Sequence, residues 1–134
     1  MTSTMNTAAT VEPGIRVIKA GEDTGQTAQT AGILRREFVA QPGVWIGVGK
    51  TLPGVASGWH HHGDHDTYIY MLAGTGRMEF GTGGREACEA EAGDLIIVPK
   101  GVVHREANPG EAESAALVVR LGTGDVVVNV APPA

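Results

Sequence analysis

Cysteine is nearly absent from this chain: Cys88 is the only one in 134 residues. An intramolecular disulfide is therefore excluded, and the expected compartment is the reducing cytoplasm. Basic clusters are missing as well. Ten Lys and Arg are outnumbered by fifteen Asp and Glu, giving a formal charge of −5. No Lys/Arg run offers a patch for tracking phosphates or anionic lipid, so neither nucleic acid nor a membrane is an expected partner. No apolar run approaches the roughly 18 residues of a transmembrane helix. Helical periodicity is also lacking. The best local candidate, residues 111–117, reads better as a loop running into a strand. The first residues have neither the basic start nor the apolar stretch of a secretory signal. Residues 1–12 read as a flexible arm and residues 13–134 as a single domain.

What the chain does have is punctuation. Twenty glycines and seven prolines divide it into short pieces rich in Val, Ile and aromatic residues. Residues 15–19, 34–39, 44–48, 68–72, 77–80, 86–90, 95–98, 102–106, 115–121 and 126–130 read as strands. The separators are turn chemistry: Gln41-Pro-Gly, Leu52-Pro-Gly, Gly81-Thr-Gly-Gly, Ala92-Gly-Asp and Asn108-Pro-Gly. Regular short strands between such turns mean an all-β sandwich or barrel.

Four of the five histidines, His60, His61, His62 and His65, fall within six positions, and the fifth is His104. Residues two apart on a strand point to the same face, so His60 and His62 converge while His61 points away. A distant strand can bring His104 to them, and imidazole is the commonest protein ligand of transition metals. By the same alternation Thr67, Ile69 and Met71 share one face, and Tyr68, Tyr70 and Leu72 the other. Trp45 and Trp59 read as core or dimer-interface residues, and Cys88 as a structural thiol. Arg35, Arg36, Arg77, Arg105 and Arg120 read by default as solvated charges. Arg120, flanked by Val119 and Leu121, is the one whose pattern allows it to reach a pocket.

Two ordered stretches carry a family resemblance. Gly54, His60, His62 and Gly74 fall in register with the first motif of the cupin superfamily, whose glutamate position is occupied here by Thr67. Gly93, Pro99, Gly101, His104 and Asn108 match the second motif at every defined position. The chain thus resembles the small single-domain bacterial cupins. The resemblance implies a double-stranded β-helix, a jelly-roll-type antiparallel barrel, with one divalent transition metal (Fe, Zn, Ni or Mn) held by His60, His62 and His104.

The fourth ligand does not carry over, because Thr67 is a poor ligand. Three arrangements remain open: water in the vacant positions, His65, or Asp66 turned inward by a β-bulge. Glu106 shares a strand face with His104 and is the candidate carboxylate for proton transfer or for steadying a ligand. Neutral imidazoles cancel none of an ion's charge, so such a centre favours a small anionic, oxygen-rich ligand. The expected function is a metal-dependent enzyme, a dioxygenase or an isomerase or lyase, acting on such a molecule. The alternative is a non-catalytic sensor or small-molecule-binding protein. A homodimer, formed by sheet pairing or by exchange of the N-terminal segment, is the expected assembly.

Overall fold

The turn residues act where the punctuation predicts. Gly101 adopts φ 75°, a left-handed conformation that side chains disfavour, just before the strand carrying His104. Gly74 adopts φ 74°, and a Cβ there would lie 2.9 Å from the Ser114 Cα. Between such turns the apolar segments pair into two antiparallel sheets.

In this computed structural model residues 14–23, 26–30 and 33–134 are described. The arm expected over residues 1–12 lies outside them. The first sheet orders its strands as β1 (Gln26–Thr30), β2 (Ile33–Gln41), β3 (Gly43–Thr51), β10 (Ser114–Gly122), β5 (Asp66–Ala73) and β8 (Leu95–Val98). The second runs β11 (Val128–Asn129), β4 (His60–His61), β9 (His104–Ala107), β6 (Thr75–Phe80) and β7 (Glu86–Glu91). Among the described residues the only helical element is a 3-10 turn at Thr82–Gly84. The fold is all-β, as the alternation predicts.

Side chains from both sheets meet in one core: Trp45, Ile69, Met71, Val98 and Val118 from the first, Met78 and Ala90 from the second. Burying each large apolar side chain contributes roughly 1.5–3 kcal/mol. β5 turns Thr67, Ile69 and Met71 inward and leaves Tyr70 and Leu72 exposed, the expected alternation. The side chains most completely removed from solvent are not apolar, however. They are Arg35, Arg120, His60, His62, His104, Asn108 and Thr67. Burying polar groups costs stability unless they find partners; Asn108 has them, but the two arginines, the three histidines and Thr67 each keep a buried atom without one, and these point to a site.

The structure departs from the expected strands in a few places. Residues 15–19 form no strand, and Ile15 and Val17 stay exposed. The stretch expected at 126–130 pairs only at Val128–Asn129, and that expected at 102–106 begins at His104. Two strands were not legible. β1 carries no large apolar residue and exists by pairing with β2, and β4 is two histidines long, held between β11 and β9. Residues 111–113 form a loop into β10, as expected.

Candidate metal centre

β4 and β9 run antiparallel with His60 directly opposite His104. Their ring centroids lie 4.4 Å apart, and His62, two residues beyond His60, places its ring 5.0 Å from each. Backbone carbonyls orient all three rings. The Nδ1 of His60 donates to Gly58 O (3.0 Å), that of His62 to Val126 O (2.8 Å) and that of His104 to Val102 O (2.9 Å). A carbonyl can only accept, so each Nδ1 carries the proton and each Nε2 presents a lone pair. All three Nε2 atoms are buried without a hydrogen-bond partner.

Glu106, on the same face of β9 as His104, completes the group. One ligand atom from each of His60, His62, His104 and Glu106 lies within 4.8 Å of the others. Donors each about 2.0–2.2 Å from one ion stand up to roughly 4.4 Å apart, so slight contraction closes the four around a metal. The orphaned lone pairs and the mixed imidazole–carboxylate donor set both fit a divalent ion. Oε1 of Glu106 lies 3.9 Å from His104 Nε2, while Oε2 faces Arg35 at 3.6 Å.

The electrostatics favour neutral His60 and His62 rings and an ionised Glu106. Burial, the largest influence, lowers the His60 pKa to about 4 despite the opposing pull of Glu106. His62 is lowered further, by burial and then by the charge of Arg120. Burial alone would raise the Glu106 pKa, but Arg35 and the neighbouring histidines and Arg120 outweigh it and hold it below the usual carboxylate value. At neutral pH His60 and His62 therefore need release no proton before taking a cation.

The structure does not bring His65 or Asp66, the residues expected to compete for the fourth position, to the cluster, and it places there Glu106, expected only as a proton-transfer or supporting carboxylate. His65 is buried, but its Nδ1 bonds to His62 O at 2.9 Å and its ring faces a different cavity, with Trp45 and Val126. Asp66 accepts from the Lys100 N–H at 3.0 Å. Thr67 is fully buried with an unpartnered Oγ1, in register with Arg120 on β10. His61 turns away and accepts from the Gly63 N–H. Two arginines read as solvated charges prove otherwise placed: Arg35 and Arg120 are each 1% exposed. They line a cavity of about 60 Å³ together with Glu106, Ile69, Met71 and Val118. Arg35 was missed because the strand's leucine, Leu34, points outward and the arginine takes the inner face.

A family model described as a cupin domain matches residues 48–120. The chain belongs to the cupin family. A Klebsiella pneumoniae protein described as an uncharacterized conserved protein with a double-stranded β-helix domain superposes with a TM-score of 0.69 at 18% identity, covering 87% of this cupin and 98% of that chain. Bacillus subtilis oxalate decarboxylase, studied for its Mn(II) centres, superposes with a TM-score of 0.63 at 21% identity over 74% of this cupin and 28% of that chain. In sequence, the uncharacterized protein YdbB of Bacillus subtilis (strain 168) is 38% identical over 47 residues, 35% of this cupin and 40% of that protein. This cupin thus aligns with well under half of that curated relative. Among the described residues no helix is long and apolar enough to cross a membrane.

Proposed function

We propose that this cupin is a metal-dependent enzyme acting on a small carboxylate, with His60, His62, His104 and Glu106 as the ligands of one divalent ion. The observation that carries the reading is the set of three buried, unpartnered Nε2 atoms aimed at one point beside a carboxylate. Imidazoles with a carboxylate suit manganese or iron(II), ions that keep further coordination positions open beyond four protein donors. A bound ion would supply Lewis-acid or redox chemistry to an oxygen-rich substrate.

The chain's own residues account for the rest. Each backbone carbonyl that fixes an Nδ1–H holds its ring in a ligating orientation, the usual support of metal-bound histidine. Ile69, Met71 and Val118 give the cavity apolar walls, and a low-dielectric wall strengthens the charge interactions beside it. Arg35 and Arg120 supply the positive field that draws an anion in. The direct test is to load the protein with manganese or iron(II) and follow dioxygen uptake and carbon dioxide release over a panel of small carboxylates. Turnover that disappears in Glu106→Gln and in His62→Ala is the expected result.

One observation favours a second reading, a non-catalytic binding protein. Among the residues lining the cavity Glu106 is the only carboxylate, so a metal-bound Glu106 leaves no free acid or base. Tight carboxylate binding without turnover under any metal would decide for it. For assembly, we propose pairing of two copies through the outer face of the six-stranded sheet. There Tyr70, Leu95, Ile97 and Leu117 are exposed together, Tyr70 lying opposite both Leu95 and Leu117, and a contiguous apolar face of this kind marks interaction surfaces.

A further inference from the structure

Arg35 and Arg120 reach the same cavity from strands that are not neighbours. β3 lies between β2 and β10, and Gly49 stands opposite Arg35 on it. With no side chain at Gly49, the space between the two arginine strands stays open; Gly49 itself lines the cavity. Their charge is only partly matched. Arg35 has Glu106 at 3.6 Å, and no ion pair is formed by Arg120 among the described residues. Arg120 lies with its guanidinium carbon 4.5 Å above the Trp45 ring. Even so, Nε and Nη1 of Arg120 and Nη1 of Arg35 are buried and have no hydrogen-bond partner. Burial is costly for a guanidinium with unmade N–H bonds, and an anion with several acceptor oxygens is the group that satisfies them.

We propose that Arg35 and Arg120 form an anion subsite beside the metal centre, and that the substrate is a short, unbranched dicarboxylate. One of its carboxylates lies across the two guanidiniums while its other acidic end reaches the metal. The second half of this statement rests on the metal reading given above; the first does not. A divalent ion and two guanidiniums facing the single carboxylate of Glu106 leave the interior strongly positive, so a doubly charged ligand suits it better than a singly charged one. The two sites are adjacent. Glu106 lies between them, its Oε2 3.6 Å from Arg35 and its Oε1 3.9 Å from His104. A cavity of about 60 Å³ admits only a small ligand, and the apolar walls of Ile69, Met71 and Val118 leave little room for branching.

The test is calorimetric titration of oxalate, malonate and acetate into the manganese-loaded protein and into the metal-free protein. The loaded protein should bind oxalate or malonate at least tenfold more tightly than acetate. Arg120→Gln, and Arg120→Lys, which keeps the charge but loses the fork, should erase that preference while manganese content stays unchanged. Equal affinity for diacid and acetate in the wild-type protein overturns the subsite whatever the variants do. So does an unaltered preference in both variants, or loss of manganese from both, and in each case the metal reading is judged separately by its own stoichiometry. Failure to load any metal, with malonate still bound in an Arg120-dependent way, would sink the metal reading and keep the subsite.

Discussion

Replacing Glu106 with Gln preserves the shape of the side chain and removes its charge, which separates two roles. Glu106 is within ligand distance of the three histidines and is the carboxylate facing Arg35. Losing even an outer partner of a metal ligand weakens metal binding about 10- to 100-fold. Loss of a direct ligand should therefore cost at least about 100-fold, or roughly 2.7 kcal/mol. Without metal the variant should also be less stable, because two buried guanidiniums lose their counter-charge. Breaking a buried ion pair costs about 3–5 kcal/mol, and the 3.6 Å separation places this one near the low end. For a chain of this length that is a fall in Tm of roughly 10 °C. Thr67→Glu in the same background returns a carboxylate from a fully buried position in register with Arg120. It should restore at least tenfold of the lost metal affinity, less some overpacking strain. Manganese titrations monitored by calorimetry, with thermal melts of the metal-free proteins, read both effects. Wild-type metal affinity in Glu106→Gln would refute the reasoning, as would a folded double variant no better than the single one.

Asn108 should prove a structural keystone. Its amide donates to Thr51 O and Ala112 O and accepts from the Gly110 N–H, so Asn108→Ala should cost about 2–4 kcal/mol in denaturant melts through buried groups left unpaired. Acid should destabilise the metal-free protein early. His60 has a folded pKa of about 4 against 6.5 when unfolded, so its contribution is complete above pH 6.5 and is lost as pH falls through 4, because only the unfolded chain takes up the proton. The slope approaches about 1.4 kcal/mol per pH unit for each such histidine, and a flat stability profile from pH 6.5 to 4 would contradict it. Ile97→Lys, on the exposed sheet face, should convert a dimer to a monomer in light scattering without a large change in Tm; an unchanged mass would place the interface elsewhere.

Much of the fold was readable because alternation and turn chemistry agreed. Thr67, Ile69 and Met71 are inward as their parity demands, and Asn108, spaced as the second motif requires, makes the turn. Residues 15–19 misled because β-branched composition alone does not supply a pairing strand. β4 escaped notice because it is shorter than any pattern window and is held by its neighbours. At the site, the convergence of His60 and His62 follows from their two-residue spacing, and the parity of His104 and Glu106 puts that carboxylate on the same face. The departure lies with charge. Pattern reading puts an arginine outside and a leucine inside, yet β2 turns Leu34 out and Arg35 in. Arg35 lines the interior cavity and faces Glu106 there, a placement set by nonlocal contacts that the strand's own pattern does not carry. The nearness of Glu106, and not of His65 or Asp66, to the three histidines is likewise a matter of tertiary placement. His65 is spent on the His62 carbonyl and Asp66 on the Lys100 amide.

The most direct test of the metal centre is element-resolved analysis of protein purified without a histidine tag under anaerobic conditions, beside His62→Ala prepared in parallel. The account predicts close to one divalent transition metal per chain in the native protein and little in the variant. A metal-free native protein that stays empty after reconstitution with manganese, iron and zinc, or a variant that retains full stoichiometry, would contradict it.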